Sequence, residues 1–243
     1  MNNDLLHLLF FVVGVLCSVP MQWLIQHLPA SLLTSDADSP PTPETTAEPT
    51  ADLTPGPTPG PLPTPWPSPL LALLNGVVWA GCAWHWPEPT TAACWAMFAS
   101  GLIALSIIDW QTTLLPDALT QPLLWLGLLC SASQSIVTPL DQAVWGAAIG
   151  YAALWSVAFV FTRLSGKEGM GGGDFKLFAA LGAWLGPWAL LPLIFLASLV
   201  GALVGLWLQA RQRLHQGVYV PFGPFLAGAG LLLAVLGHDW FFH

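Results

Sequence analysis

The stretch Gly169–Leu177, GMGGGDFKL, decides how the rest of the chain is read, because it sets a glycine run and a carboxylate between two long apolar segments. Glycines accept backbone angles closed to other residues and let a second chain come close. Phosphate binding is the obvious competitor. A Walker loop needs Gly-Lys-Ser/Thr opening a helix after a strand, and a dinucleotide loop needs G-x-G-x-x-G within a βαβ unit. Neither context exists here, where the flanking segments read as helices. On this string alone, a turn packed between helices with Asp174 as a cap is the structural alternative.

Outward from that turn the whole chain is apolar. Of 243 residues, 55% are hydrophobic and only 7% charged, whereas a soluble domain carries roughly a quarter charged residues. Mean hydropathy is +0.66. A chain of this kind is solvated mainly by lipid, and its 14 tryptophans suit the lipid-water interface. The formal net charge of -8 leaves no basic patch to neutralise phosphates, which excludes nucleic acid as a main partner. Cys17, Cys82, Cys94 and Cys130 stand singly in apolar runs, without a CxxC pair or a histidine at zinc-finger spacing. They read as small buried hydrophobes; no metal site is expected, and disulfides are neither implied nor needed.

The expected class is all-α, a polytopic membrane protein of about eight transmembrane helices. Residues 1–30 form an N-terminal transmembrane helix, since Leu5–Leu28 is long enough to span a bilayer. Asp4 precedes its apolar core and no clear A-x-A site follows, so it is expected to be a retained helix, not a cleaved signal. Residues 31–69 are rich in Pro and Thr, with Asp36, Asp38, Glu44, Glu48 and Asp52 and no Lys or Arg. Such a stretch cannot bury enough apolar surface to order itself, so a disordered, extended linker is expected; a Pro-rich ligand for a partner domain is the alternative. Residues 70–243 form the polytopic core. Turns at 86–89, 110–116, 137–139, 163–174, 186–187 and 211–221 cut it into seven further helices. The break at Gly186-Pro187 is the weakest, and Leu177–Ala210 can also be read as one long kinked helix.

Lys and Arg of short loops stay in the cytoplasm. Arg163, Lys167 and Lys176 mark one loop and Arg211 and Arg213 another; with eight helices both fall on one side, together with the Asp109–Asp117 loop. The acidic linker follows to the cytoplasm by parity. An ionisable group at a helix end in such a protein is costly and needs a reason. Asp109, Asp117, Glu168 and Asp174 share the cytoplasmic side, while Asp141 and Asp239 lie near the opposite face. Two carboxylates close together in a low-dielectric site share a proton. One then activates water while the other protonates the carbonyl or the leaving amine, which is the chemistry of an aspartic protease. Ser100, Ser106 and Ser165 lie near helix boundaries, but no serine-centred glycine elbow accompanies a histidine. His85, His215 and His238 fall at helix ends or in loops, and the metal-hydrolase signature HExxH is absent.

Three blocks in order carry a resemblance. IIDWQTTLLPDALTQPLLW (Ile107–Trp125), KEGMGGGDFKLFAALGAWLG (Lys167–Gly186) and VPFGPFLAGAG (Val220–Gly230) resemble the type IV prepilin leader peptidases, the GxGD class of intramembrane aspartyl proteases. The resemblance runs from about Pro69 to the C-terminus, and Gly14–Pro29 is a weaker echo of the family's opening helix. It implies that Asp109 and Asp174 are the catalytic pair, that Gly171 and Gly173 take the glycine places of GxGD, and that Lys176 is the basic residue two positions beyond the aspartate. Pro116 and Asp117 match the family's LPD, where helix-start geometry is expected.

The resemblance further implies a multi-pass protein of the bacterial inner membrane with its active site at the cytoplasmic side. Its partners would be the bilayer and the prepilins or type II secretion pseudopilins whose basic leader it removes. Many relatives carry a cytoplasmic insert with two CxxC pairs associated with zinc, and here the Pro/Thr/acidic linker stands in that place; zinc is not expected. Proteolysis needs no cofactor. S-adenosylmethionine enters only if N-methylation of the new pilin N-terminus is retained, and a glutamate of the bifunctional relatives is replaced around Ala72. The acidic linker is a candidate attractor for the basic leader. An inactive pilus or secretion assembly factor, and a proton-coupled carrier, are the readings from other classes.

Overall fold

A computed structural model describes residues 3–35, 68–166, 171–211 and 221–237. Within them lie eight α-helices and no strand: α1 Asn3–Ser35, α2 Ser68–His85, α3 Pro89–Thr112, α4 Asp117–Ala132, α5 Leu140–Ser165, α6 Gly172–Leu185, α7 Leu190–Ala210 and α8 Gly223–Leu236, with a 3-10 turn at Pro187–Ala189. The expected linker falls outside the described residues over 36–67. α1 itself continues to Ser35, past the expected boundary at residue 30.

Helices stop where chemistry stops them. Pro89 opens α3, where its missing N–H loses no intrahelical bond. α5 closes on Gly166 at φ 67°, which donates to Thr162 O. The break at Gly186-Pro187 is real, and the single kinked helix over Leu177–Ala210 is corrected: Gly186 takes φ 79°, a left-handed angle that ends a helix, and its N–H returns to Gly182 O.

The protein is an all-α polytopic membrane protein. Four segments are long and apolar enough to cross a bilayer, Asn3–His27, Pro89–Thr112, Leu140–Ser165 and Pro187–Ala210, while Pro69–His85 and Gly223–Leu236 are shorter apolar helices. The long segments divide by environment. The span in α3 is 56% buried inside the protein, against 17% for α5 and 22% for that of α7, so α3 is central while α5 and α7 face lipid.

α6 is the other central element, with every side chain from Asp174 to Leu185 buried except that of Lys176. Trp184 fills its far end, fully buried, with Nε1 donating to Leu123 O of α4 at 2.9 Å. Thr138 Oγ1 donates to Trp184 O at 2.7 Å. α5 and α6 cross backbone to backbone: a Cβ on Gly146 would strike Gly182 O, and one on Gly182 would strike Gly146 O. Close approach of this kind uses small residues at a membrane crossing. At the N-terminal side, buried Asn75 of α2 donates to Gly14 O of α1 at 2.7 Å and accepts from Ser100 Oγ of α3 at 2.8 Å. One polar side chain thus ties three helices in a setting where an unpaired amide is costly. The result for the site is that the C-terminal end of α3 and the N-terminal ends of α4, α6 and α8 meet at one end of the bundle.

Candidate active site

Asp109 lies in the last turn of α3 with only 4% of its surface exposed. Its Oδ2 accepts the backbone N–H of Gly223 at 2.9 Å. Gly223 is the first residue of α8, where free N–H groups and the helix dipole favour a negative charge. A Cβ at Gly223 would lie 2.5 Å from Asp109 Oδ2, so this approach is open to glycine alone.

Asp174 lies in the first turn of α6 and is 6% exposed. Gly171 precedes the helix as its cap, and the Asp174 N–H donates to Gly171 O at 3.2 Å. Asp174 is therefore a first-turn residue and not the cap. α6 is not among the four candidate spans, and burial raises the Asp174 carboxyl above the ordinary carboxylate range. The charge of Asp109 raises it further. The two acids, distant in sequence, thus act on one another electrostatically, as a pair that shares a proton does.

Leu115 spaces the two halves. A Cβ on Gly173 would lie 2.6 Å from Leu115 Cβ, and one on Gly223 would lie 3.3 Å from Leu115 Cδ1. Gly173 is thus held to glycine by packing. Gly171 and Gly172 are exposed with open space where a Cβ would stand, which leaves their backbone accessible beside the acids. Pro116 caps α4 in an extended conformation, and Asp117 is its first residue. Lys176 Nζ reaches both oxygens of Asp117 at 2.6 Å, joining α6 to α4 on the exposed rim.

Of the seven expected site residues, Asp109 acts on Asp174 through its charge, Gly171 and Gly173 form the start of the helix that carries Asp174, and Lys176 pairs with Asp117, which follows the cap Pro116, on the rim. The sequence reading did not single out Gly223 and Leu115. Gly223 sits in the quoted block Val220–Gly230 without a chemical side chain to mark it, and Leu115 looks like any apolar residue before LPD. Glu168 lies outside the described residues, as do His215 and His238. The serines are occupied structurally: Ser106 donates to Leu102 O and Ser165 to Phe161 O, while Ser100 is held by Asn75 and by Trp79, whose Nε1 donates to it. His85 stands edge-on against Trp86. Among the described residues no group of three or more His, Cys, Asp or Glu is arranged to hold a metal ion.

Residues 96–206 match the type IV leader peptidase family. The prepilin leader peptidase/N-methyltransferase of Stutzerimonas stutzeri is 48% identical over 166 residues, 68% of this chain and 55% of that protein. The protein of the same description from Pseudomonas aeruginosa is 47% identical over 167 residues, 68% and 56% of the two chains. That from Dickeya chrysanthemi is 48% identical over 174 residues, 69% and 60%. The matched part therefore spans between 55% and 60% of the length of these relatives. No solved structure matches the chain. Two of the three sequence blocks, Ile107–Trp125 and Lys167–Gly186, lie inside the matched stretch, so residues 96–206 of this chain are similar to the type IV leader peptidase family over the part that carries both aspartates.

Proposed function

We propose that this chain is a membrane aspartic endopeptidase that removes the basic leader from type IV prepilins or type II secretion pseudopilins at the cytoplasmic face of the bacterial inner membrane. The observation that carries this reading is the convergence of two buried carboxylates, Asp109 from α3 and Asp174 from α6, beside an open glycine backbone. The names of the relatives supply the substrate class. Sidedness is supported by the charges, since Arg163 lies in the last turn of α5, Lys176 near the start of α6 and Arg211 just past the end of α7, and Lys and Arg at helix ends favour the cytoplasm.

With one proton shared between them, the ionised carboxylate takes a proton from a water held between the pair. The hydroxide formed attacks the scissile carbonyl carbon while the protonated partner gives its proton to the carbonyl oxygen. The tetrahedral intermediate then collapses: the amine leaves with the proton held by the first carboxylate, and one hydroxyl of the intermediate returns its proton to the second, so the pair ends the cycle with one proton as it began. The Gly223 N–H keeps Asp109 oriented, and the helix ends stabilise the single negative charge. The exposed backbone at Gly171 and Gly172 is the natural edge for an extended leader peptide to lie against.

The relatives' description adds N-methyltransferase. α2 carries no acidic side chain, so around Ala72 it offers no carboxylate to pair with a sulfonium cation, and no step is derived through S-adenosylmethionine. Zinc takes no part in the proposed hydrolysis.

The test is co-expression with a prepilin that bears a basic leader, following product size by immunoblot and intact mass for wild type, Asp109→Asn and Asp174→Asn. Cleavage by wild type and by neither well-expressed variant is expected, and a product heavier by one methyl group would add the second activity. Uncut prepilins beside folded wild-type protein would sink the peptidase reading in favour of an assembly factor.

A further inference from the structure

We propose that Cys94 and Cys130 form a disulfide that clamps α3 to α4 at the end of the bundle remote from the aspartates. The two sulfurs lie 3.0 Å apart, although the residues are 36 positions apart in sequence. Closing to a covalent bond of about 2.05 Å takes a movement of roughly 1 Å, within reach of small side-chain adjustments. The sequence alone suggested four separate buried thiols; two of them meet in the fold.

Their place in the bundle sets the redox environment. Cys94 lies in the second turn of α3, whose last turn holds Asp109, so about 20 Å of helix separates them at about 1.5 Å per residue. Cys130 lies in the last turn of α4, whose first residue is Asp117. Both therefore stand at the end opposite the site. All five Lys and Arg residues of the chain fall at or near the site end in sequence. With that end in the cytoplasm, the cysteine end faces the oxidising side of the membrane, where disulfides persist. The proposal rests on the sidedness given above for its oxidant, though not for its geometry.

The reaction is thiol-disulfide exchange with a protein disulfide of the periplasmic thiol oxidants. One thiolate attacks that disulfide to give a mixed disulfide, the second thiolate displaces it, and the Cys94–Cys130 bond forms. Two protons leave the cysteines, and two electrons pass to the oxidant, which is released as a dithiol. The bond would close a loop that contains Asp109 and Asp117, holding the α3–α4 hairpin in its folded arrangement without touching the acids.

The experiment uses full-length protein quenched in acid from cells, denatured, and alkylated with a maleimide of known mass before and after reduction. Two labelled thiols before reduction and four after are expected, with a Cys94–Cys130 linked peptide in the unreduced digest. Cys94→Ser and Cys130→Ser should each give three labelled thiols under both conditions, and each should unfold at a lower temperature than wild type while still cleaving prepilin. Four labelled thiols without reduction, both from cells and after treatment of the purified protein with a mild disulfide oxidant, overturn the proposal. Sidedness is read separately from Ser133→Cys in a background with the four natural cysteines replaced. Labelling of intact cells by a membrane-impermeant maleimide is the expected result there, and labelling only after lysis would sink the orientation by itself.

Discussion

The backbone N–H of Gly223 donates to Asp109 Oδ2 at 2.9 Å across 114 residues of chain, and the start of α8 thereby fixes the carboxylate at the end of α3. The bond needs a residue without a side chain, because a Cβ at position 223 would enter the space of that same oxygen.

Gly223→Ala therefore pushes Asp109 aside while leaving both acids in the chain. A displacement of about 1 Å at a reacting group costs on the order of 100-fold in rate, so prepilin cleavage by Gly223→Ala should fall by about that factor with expression unchanged. Timed immunoblots against wild type measure it. Cleavage within about threefold of wild type would mean that the Gly223 contact does not position the acid.

The Lys176–Asp117 pair offers the opposite expectation. The side chains are 34% and 54% exposed, and exposed pairs contribute roughly 0–1 kcal/mol. Lys176→Met should leave the thermal midpoint of the detergent-solubilised protein almost unchanged. Its cleavage of a prepilin with a basic leader should also stay within a few-fold of wild type. A large rise in KM with unchanged kcat would instead assign Asp117, freed of its partner, or Lys176 itself to leader binding.

Much of this arrangement can be read from the sequence, and the missing parts have a common cause. The apolar runs and their Pro and Gly breaks locate α2 to α8 within a few residues, because helix ends are set locally by proline, glycine and capping. Asp109 and Asp174 stand out because carboxylates are costly in an apolar chain. Gly223, Leu115 and the Cys94–Cys130 approach do not stand out, since each matters through a partner far along the chain. α1 outran its expected end for a local reason of a different kind: its last turns are too weakly patterned to mark a boundary.

At the α5–α6 crossing, Gly146 and Gly182 each face the other's carbonyl where a Cβ would sit. Gly146→Ala or Gly182→Ala forces the helices apart, and overpacking of this kind costs about 1–3 kcal/mol. Both variants should melt at lower temperature and express less well. Because α6 carries Asp174, the surviving protein should also cleave more slowly. Wild-type melting in either variant would show that the crossing has more room than the backbone approach implies.

The raised Asp174 carboxyl gives a pH dependence of definite sign. Burial first, and then Asp109, hold its folded pKa above the ordinary value, so the protonated form persists to higher pH than in the unfolded chain. The stability this gives is fully present below the ordinary carboxylate pKa and is lost as pH rises through the raised one. Cleavage should follow a bell, failing on the acid side when both carboxyls are protonated and on the alkaline side when both are ionised, with the alkaline limb above the ordinary carboxylate range. Asp174→Asn removes the group that must ionise in a buried place. It should be inactive yet melt at least as high as wild type at alkaline pH, with the difference shrinking toward pH values near 4, the ordinary range of an aspartate. Melting curves of both proteins across pH decide this, and a gap that widens on acidification would reverse the assigned direction.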